Sequence, residues 1–232
     1  KAKNVFHFCY NLSPGLSAVV LPPPEACVTQ IGIGVIGLGR MGRVYALHTA
    51  RQMDGAALVA VADPNPDVLR SFAAQLPGVQ AYANYHDLLV NPHVQGVLIA
   101  SPTSTHREVA IEAARAGKAI FCEKPVALTL DATDEVIAAA EQAGVLFQVG
   151  FMRRFDRAYA AAKRKLDAGE IGEPVTIRSI GRDPHRTSLE FANPAVSGGL
   201  IVDMAIHDFD CVRWLMADDI QRIYAETASL VY

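Results

Sequence analysis

The 232 residues, 51% hydrophobic and 19% charged, have the composition of an ordinary soluble protein with apolar material for one or two domain cores. A formal net charge of −3 gives no electrostatic reason to expect nucleic acid or an anionic membrane as a partner. No apolar run reaches the roughly 18 to 20 residues of a membrane span, and the longest, around residues 31–38, is interrupted by glycines.

Cys9, Cys27, Cys122 and Cys211 lie far apart, with no CxxC pair and no histidine cluster at ligand spacing. Neither a metal site nor a disulfide framework is expected, and a reducing cytoplasm is the expected compartment.

Residues 1–27 show no sustained period and contain Pro14 and the run Pro22-Pro23-Pro24, which continue neither a helix nor a central strand. A secretory leader is the alternative, but Asn11, Ser13 and Pro14 break any apolar stretch of the needed length. The segment is expected to be a disordered or artefactual extension. The chain opens on Lys1 rather than Met, and the natural start is expected near Val28.

From residue 31 the pattern becomes regular. Apolar strands are expected at 31–36, 58–62, 79–82, 97–100, 119–122 and 146–149. Helices are expected over 37–53, 68–76, 106–116 and 129–143, the last ended by Gly144. Short apolar strands alternating with helices imply right-handed βαβ units and a doubly wound parallel sheet over residues 28–150. After Gly150 the pattern changes. A helix over 156–168 leads to an alternating strand at 175–180, an apolar helix over 200–216 and another alternating strand at 223–231. Residues 151–232 are therefore expected to begin an α+β domain. A strand so apolar at the end would be an unpaired edge, so further chain is expected beyond it.

Gly37-Leu38-Gly39-Arg40-Met41-Gly42 is a GxGxxG between a strand and a helix. The first glycine allows the tight turn, the second lets backbone approach a pyrophosphate, and the third allows close helix–strand packing. Free N–H groups at the helix start then bind phosphate. Asp63 ends the next strand twenty-one residues after Gly42, where a carboxylate can accept both hydroxyls of the adenosine ribose. The same charge repels a 2′-phosphate, which favours NAD over NADP.

Ser101-Pro102-Thr103-Ser104-Thr105-His106 follows a strand, where ligands bind in open parallel sheets. Glu123-Lys124-Pro125 places an ionisable pair at the end of the next strand, where a surface ion pair is the plainer reading. Asp203 and His207 are spaced i, i+4 on an apolar helix, hence on one face. A buried Asp–His pair is costly unless it is used or well satisfied.

Together, GLGRMG, the Ser-Pro-Thr…His turn, Glu-Lys-Pro and Gly-Gly…Asp-x-x-x-His resemble the Gfo/Idh/MocA oxidoreductase family, with 151–156 and 203–207 most like its inositol 2-dehydrogenase branch. The resemblance implies a Rossmann domain followed by a domain built on a large, open, mostly antiparallel sheet. It implies NAD as cofactor, a small polyol or sugar as substrate, and a dimer or tetramer of the full-length chain. The implied catalytic set is Lys124, Asp203 and His207, with His207 as base, Asp203 orienting its ring and Lys124 stabilising the alkoxide. Cofactor contacts fall on Gly37, Gly39, Arg40, Met41, Gly42, Asp63, Ser101, Pro102, Thr103, His106, Glu123 and Lys124. Substrate contacts fall on Met152, Arg153, Arg182, Asp183 and His207, and the bond before Pro125 is expected to be cis.

Two departures bear on the substrate. Gly181-Arg182-Asp183-Pro184 stands where inositol dehydrogenases tend to carry a His-Arg-Asn-Pro-like run, and family members continue well past residue 232. Oxidation of an inositol, oxidation of a related sugar or aldose, and a non-catalytic nucleotide-binding regulator all remain open. Keeping Lys124, Asp203 and His207 together argues against the last, since a regulator needs no base. The expectation for the leading segment is directly testable. Deleting residues 1–27 is expected to leave the melting temperature unchanged, and a clear fall would mean that the segment packs on the domain.

Overall fold

The computed structural model describes residues 30–182, 193–226 and 228. The expected extension at 1–27 and the predicted site residue Asp183 lie outside them.

Six parallel strands form one sheet: β1 (Ile31–Ile36), β2 (Ala56–Ala62), β3 (Gln80–Tyr82), β4 (Gly96–Ile99), β5 (Ala119–Cys122) and β6 (Phe147–Val149). Their order is β3-β2-β1-β4-β5-β6, with β1 paired to both β2 and β4. The connecting helices are α1 (Arg40–Arg51), α2 (Pro66–Ala73), α3 (Tyr85–Leu89), α4 (Thr103–Arg115) and α5 (Leu130–Ala143). The doubly wound sheet expected from the sequence is therefore present.

Period-two alternation divides the strands between two cores. Val35, Val61 and Leu38 pack with Ala46, Leu69 and Phe72 of α1 and α2. Their neighbours Ile36, Ala60 and Ala62 join Val97, Ile99 and Ile120 against Val109, Ala113 and Val136 of α4 and α5. Both faces are thus covered, as a parallel sheet requires. Local chemistry sets the helix ends. The Asn65 side chain accepts from the N–H groups of Asp67 and Val68, Thr129 accepts from Ala132, and α5 ends on left-handed Gly144.

After β6 come a 3₁₀ turn (Met152–Phe155), α6 (Arg157–Asp167), α7 (Pro194–Ser197), a π-turn (Ile201–Ala205) and α8 (Ile206–Met216). Here the structure corrects the sequence reading. Residues 175–180 run without a ladder partner, and Val175 is 90% exposed, so their alternation buries no face. Residues 223–226 likewise form no strand, and most of the remainder of 223–231 is not described. Alternation specifies a face, but a strand exists only with a neighbour to take its hydrogen bonds. The large antiparallel sheet is thus absent among the described residues. None of their helices is long and apolar enough to cross a membrane.

Two glycines of the first loop separate packing from open space. A Cβ on Gly42 would fall onto the Gly37 carbonyl oxygen, whereas one on Gly39 would meet nothing within 4 Å. Gly42→Ala is expected to destabilise the fold by about 1–3 kcal/mol, the usual cost of overpacking. Gly39→Ala should leave the melting curve nearly unchanged. Thermal unfolding of the two variants side by side checks both.

Candidate functional site

Because β1 and β4 are neighbours whose helices leave to opposite faces, a crevice opens beyond their C-terminal ends. Gly37 lies there with φ +88°, and a Cβ on it would sit 2.6 Å from Cα and N of Ser101. The glycine loop and the turn after β4 are thus in direct backbone contact. The chain's own packing demands Gly37 and Gly42, while Gly39 borders free space at the start of α1, whose first turn has no side-chain cap. Arg40 and Met41 begin that helix, with Arg40 exposed. Unpaired N–H groups facing open space are what a pyrophosphate needs.

Asp63 lies across the loop, and its carboxylate is not idle. Leu38 N–H donates to Oδ2 (2.8 Å) and Asn65 N–H to Oδ1 (2.9 Å). Each oxygen keeps a further lone pair of the kind a ribose hydroxyl would need, while the side chain shapes the glycine loop. These residues fit a dinucleotide.

Ser101, Pro102 and Thr103 form the turn into α4, where the Ser101 and Thr105 hydroxyls lie 2.7 Å apart. His106 departs from the sequence reading. It is 1% exposed, with Nδ1 2.8 Å from the Pro125 carbonyl and Nε2 2.8 Å from the Ser101 carbonyl. Both ring nitrogens are occupied by backbone, so the ring offers no atom to a cofactor. Instead it ties the turn after β4 to the turn after β5.

That second turn is Glu123-Lys124-Pro125, and the bond before Pro125 is cis, as expected. The Lys124 ammonium donates to the Asp203 backbone carbonyl (2.6 Å) and to Asp203 Oδ1 (2.8 Å). Asp203 lies in the π-turn, where the i→i+5 pattern replaces the regular helix spacing assumed from sequence. The expected Asp203–His207 pairing is not made: Asp203 is bound to Lys124, and the buried His207 Nδ1 has no hydrogen-bond partner among the described residues. Burial, then the charges of Lys124 and Arg153, hold the imidazole pKa below its ordinary 6.5 against the opposing pull of Asp203 and Asp208.

Arg153 reaches the same place from the 3₁₀ turn and donates through Nη1 to Asp208 Oδ1 (2.6 Å). Burial raises the Asp208 carboxyl, but the Ser179 hydroxyl and the Arg153 guanidinium outweigh it and keep the group below its ordinary value. Met152 is 55% exposed and Arg182 exposed. Lys124, Arg153, Asp203 and His207 are therefore brought together, while the glycine loop and Asp63 lie at the ends of β1 and β2. Sequence reasoning missed Asp208, the chelation of Asp210 by Arg154 and the bond from the Tyr45 hydroxyl to Glu123. Only the acidic residues at 208 and 210, one and three places after His207, could have signalled the first two. Cys122 is fully buried, and burial followed by the Glu123 charge pushes its thiol up to about 12.

Comparison with known proteins places the fold in a family. Residues 31–151 match the family described as an oxidoreductase family with an NAD-binding Rossmann fold, and residues 159–232 match the GFO/IDH/MocA C-terminal domain. Myo-inositol 2-dehydrogenase of Thermotoga maritima is 40% identical over 199 residues, which cover 86% of this chain and 59% of that protein. The scyllo-inositol 2-dehydrogenase (NAD(+)) of Bacillus subtilis is 40% identical over 195 residues, covering 84% of this chain and 56% of that protein. Among solved structures, scyllo-inositol dehydrogenase from Lactobacillus casei with bound NAD(H) and scyllo-inositol superposes with a TM-score of 0.70 at 31% identity, covering 82% of this chain and 57% of the other. The chain thus spans less than two thirds of the length of these relatives. With both halves matched and identities at this level, the chain belongs to the GFO/IDH/MocA oxidoreductase family.

Proposed function

We propose that this chain carries the cofactor-binding and proton-transfer parts of an NAD-dependent dehydrogenase. Its reaction is oxidation of a secondary hydroxyl on a cyclic polyol, inositol to the corresponding inosose, in the cytoplasm. The observation that carries the reading is the docking of Lys124 on Asp203, four residues before a half-buried histidine whose buried Nδ1 has no partner among the described residues. The relatives named as inositol dehydrogenases support the substrate class.

When bound, NAD supplies the acceptor for the hydride leaving the alcohol carbon. The chain must take the hydroxyl proton and stabilise the charge that develops on oxygen. His207 is the base, and its lowered pKa keeps the ring neutral, as proton acceptance requires. Its unpaired buried nitrogen costs roughly 1–3 kcal/mol until a partner arrives, a cost that a substrate hydroxyl relieves. Lys124 has three N–H donors, of which Asp203 takes two, and the third is available to the substrate oxygen. Asp203 serves here as the seat of Lys124 rather than as the orienter of the imidazole. Met152, Arg153 and Arg182 contact the substrate in this reading, with Arg153 held by Asp208.

Cofactor choice tests the Asp63 assignment. Isothermal titration is expected to show NAD bound at least about tenfold tighter than NADP, a difference of roughly 1.4 kcal/mol, and Asp63→Ala should narrow it. Equal affinities in the unaltered protein would sink the assignment.

The base is tested in a protein of the relatives' full length, with NAD reduction followed on myo-inositol, scyllo-inositol, glucose and xylose. His207→Ala should lower kcat by roughly 10² to 10⁴ with NAD affinity nearly unchanged. Because the base must be deprotonated, kcat/KM should fall as pH drops, with its midpoint below 6.5. Arg153→Gln removes one cation and unmasks Asp208, and both effects favour the imidazolium. The midpoint should therefore move up. A midpoint that stays put, or a His207→Ala enzyme that turns over normally, would remove His207 from the mechanism.

A further inference from the structure

The Glu123 carboxylate bridges two groups that have no part in the sheet. One oxygen accepts the hydroxyl of Tyr45, from the middle of α1, and the other accepts the backbone N–H of Lys124 (3.1 Å). The Tyr45 ring meets Phe121 edge-on, with centroids 5.4 Å apart. Burial, then the neighbouring Glu123, pushes the phenol pKa up, so the hydroxyl remains a donor throughout the working pH range.

β5 needs none of this. Its end is already closed by Glu123 N–H donating to Ile99 O (2.9 Å) and by Gly150 N–H donating to Cys122 O (2.8 Å). The Tyr45–Glu123–Lys124 chain of contacts therefore fixes the amide of the one residue whose side chain crosses to Asp203. A lysine ammonium at the end of a flexible four-carbon stem takes its aim from the backbone that carries it. On the other side of Lys124, the Pro125 carbonyl is held by His106.

We propose that Tyr45 is a positioning residue: by holding Glu123 against the Lys124 amide, it keeps the Lys124 ammonium seated on Asp203 and aimed at the substrate oxygen. The proposal rests on the reading of Lys124 as the group that stabilises the alkoxide.

Tyr45→Phe is the decisive variant, because it deletes one oxygen and leaves the ring on Phe121. On this chain, the rate at which acetic anhydride acetylates Lys124 is measured by peptide mass spectrometry, with exposed Lys165 as internal reference. Loss of one hydrogen bond should raise the relative rate about two- to tenfold, as the ammonium leaves Asp203 more often. In the full-length protein, kcat should fall roughly 10- to 100-fold, with NAD affinity within about twofold of the unaltered enzyme. Adding Glu123→Gln should cost little more, because both substitutions cut the same chain of contacts. An unchanged Lys124 rate overturns the proposal whatever happens to kcat, and a lower melting temperature with an unchanged rate marks Tyr45 as merely structural. If Lys124→Ala turns over normally, the reading of Lys124 fails, while the acetylation rate still reports whether Tyr45 holds it.

Discussion

The arrangement depends on the backbone contact between Gly37 and Ser101. Two parallel strands end side by side, and their crossovers leave in opposite directions, so their connecting loops can touch only where no side chain stands between them. With any Cβ at position 37, the turn after β4 would have to retreat. Asp63 secures the same loop from the other neighbour by taking the Leu38 N–H. Three strand ends are thus drawn together, with open space over Gly39. His106 extends the tie one strand further by lying between the Ser101 and Pro125 carbonyls, to one of which its N–H donates. Sheet geometry is passed in this way, through backbone carbonyls, to the turn that carries Lys124.

Among the described residues, one ion pair runs from that turn to the segment after β6. Lys124–Asp203 is shielded from water on most of its surface, with side-chain exposures of 15% and 24%, so its attraction is weakened less by solvent than that of a surface pair. It is joined by Arg153–Asp208 and by the chelation of Asp210 by Arg154, both of which clamp the 3₁₀ turn onto α8. The helix bearing His207 adds apolar contacts to these charged ones, with Cys211 buried and Val212, Trp214 and Leu215 half-buried.

Much of the Rossmann unit was legible because its signals are local and periodic. Buried parallel strands read as apolar runs, and Thr129 and Gly144 mark helix ends with chemistry that acts within three residues. The site was legible as a set of residue types, because GxGxxG, Glu-Lys-Pro and the Asp-x-x-x-His spacing are contiguous. What eluded sequence was partnership. The i, i+4 spacing suggested that Asp203 serves His207, but the π-turn changes the helical spacing there and Lys124, seventy-nine residues away, takes the carboxylate. His106 looked like a ligand contact because nothing local shows that two carbonyls enclose it. Residues 175–180 alternate as a strand would, yet alternation carries no information about whether a partner is present.

The buried cysteine at the end of β5 has a consequence for how this turn tolerates oxidants. Cys122 stands one residue before Glu123 and two before Lys124, a place where a reactive thiol would make turnover hostage to the redox state of its surroundings. A thiol whose pKa burial pushes up to about 12 is almost wholly protonated at neutral pH. Peroxides and alkylating agents attack the thiolate, and a side chain with no exposed surface also denies them approach. The same burial that fills the core with sulfur therefore insulates the neighbouring lysine from oxidative chemistry.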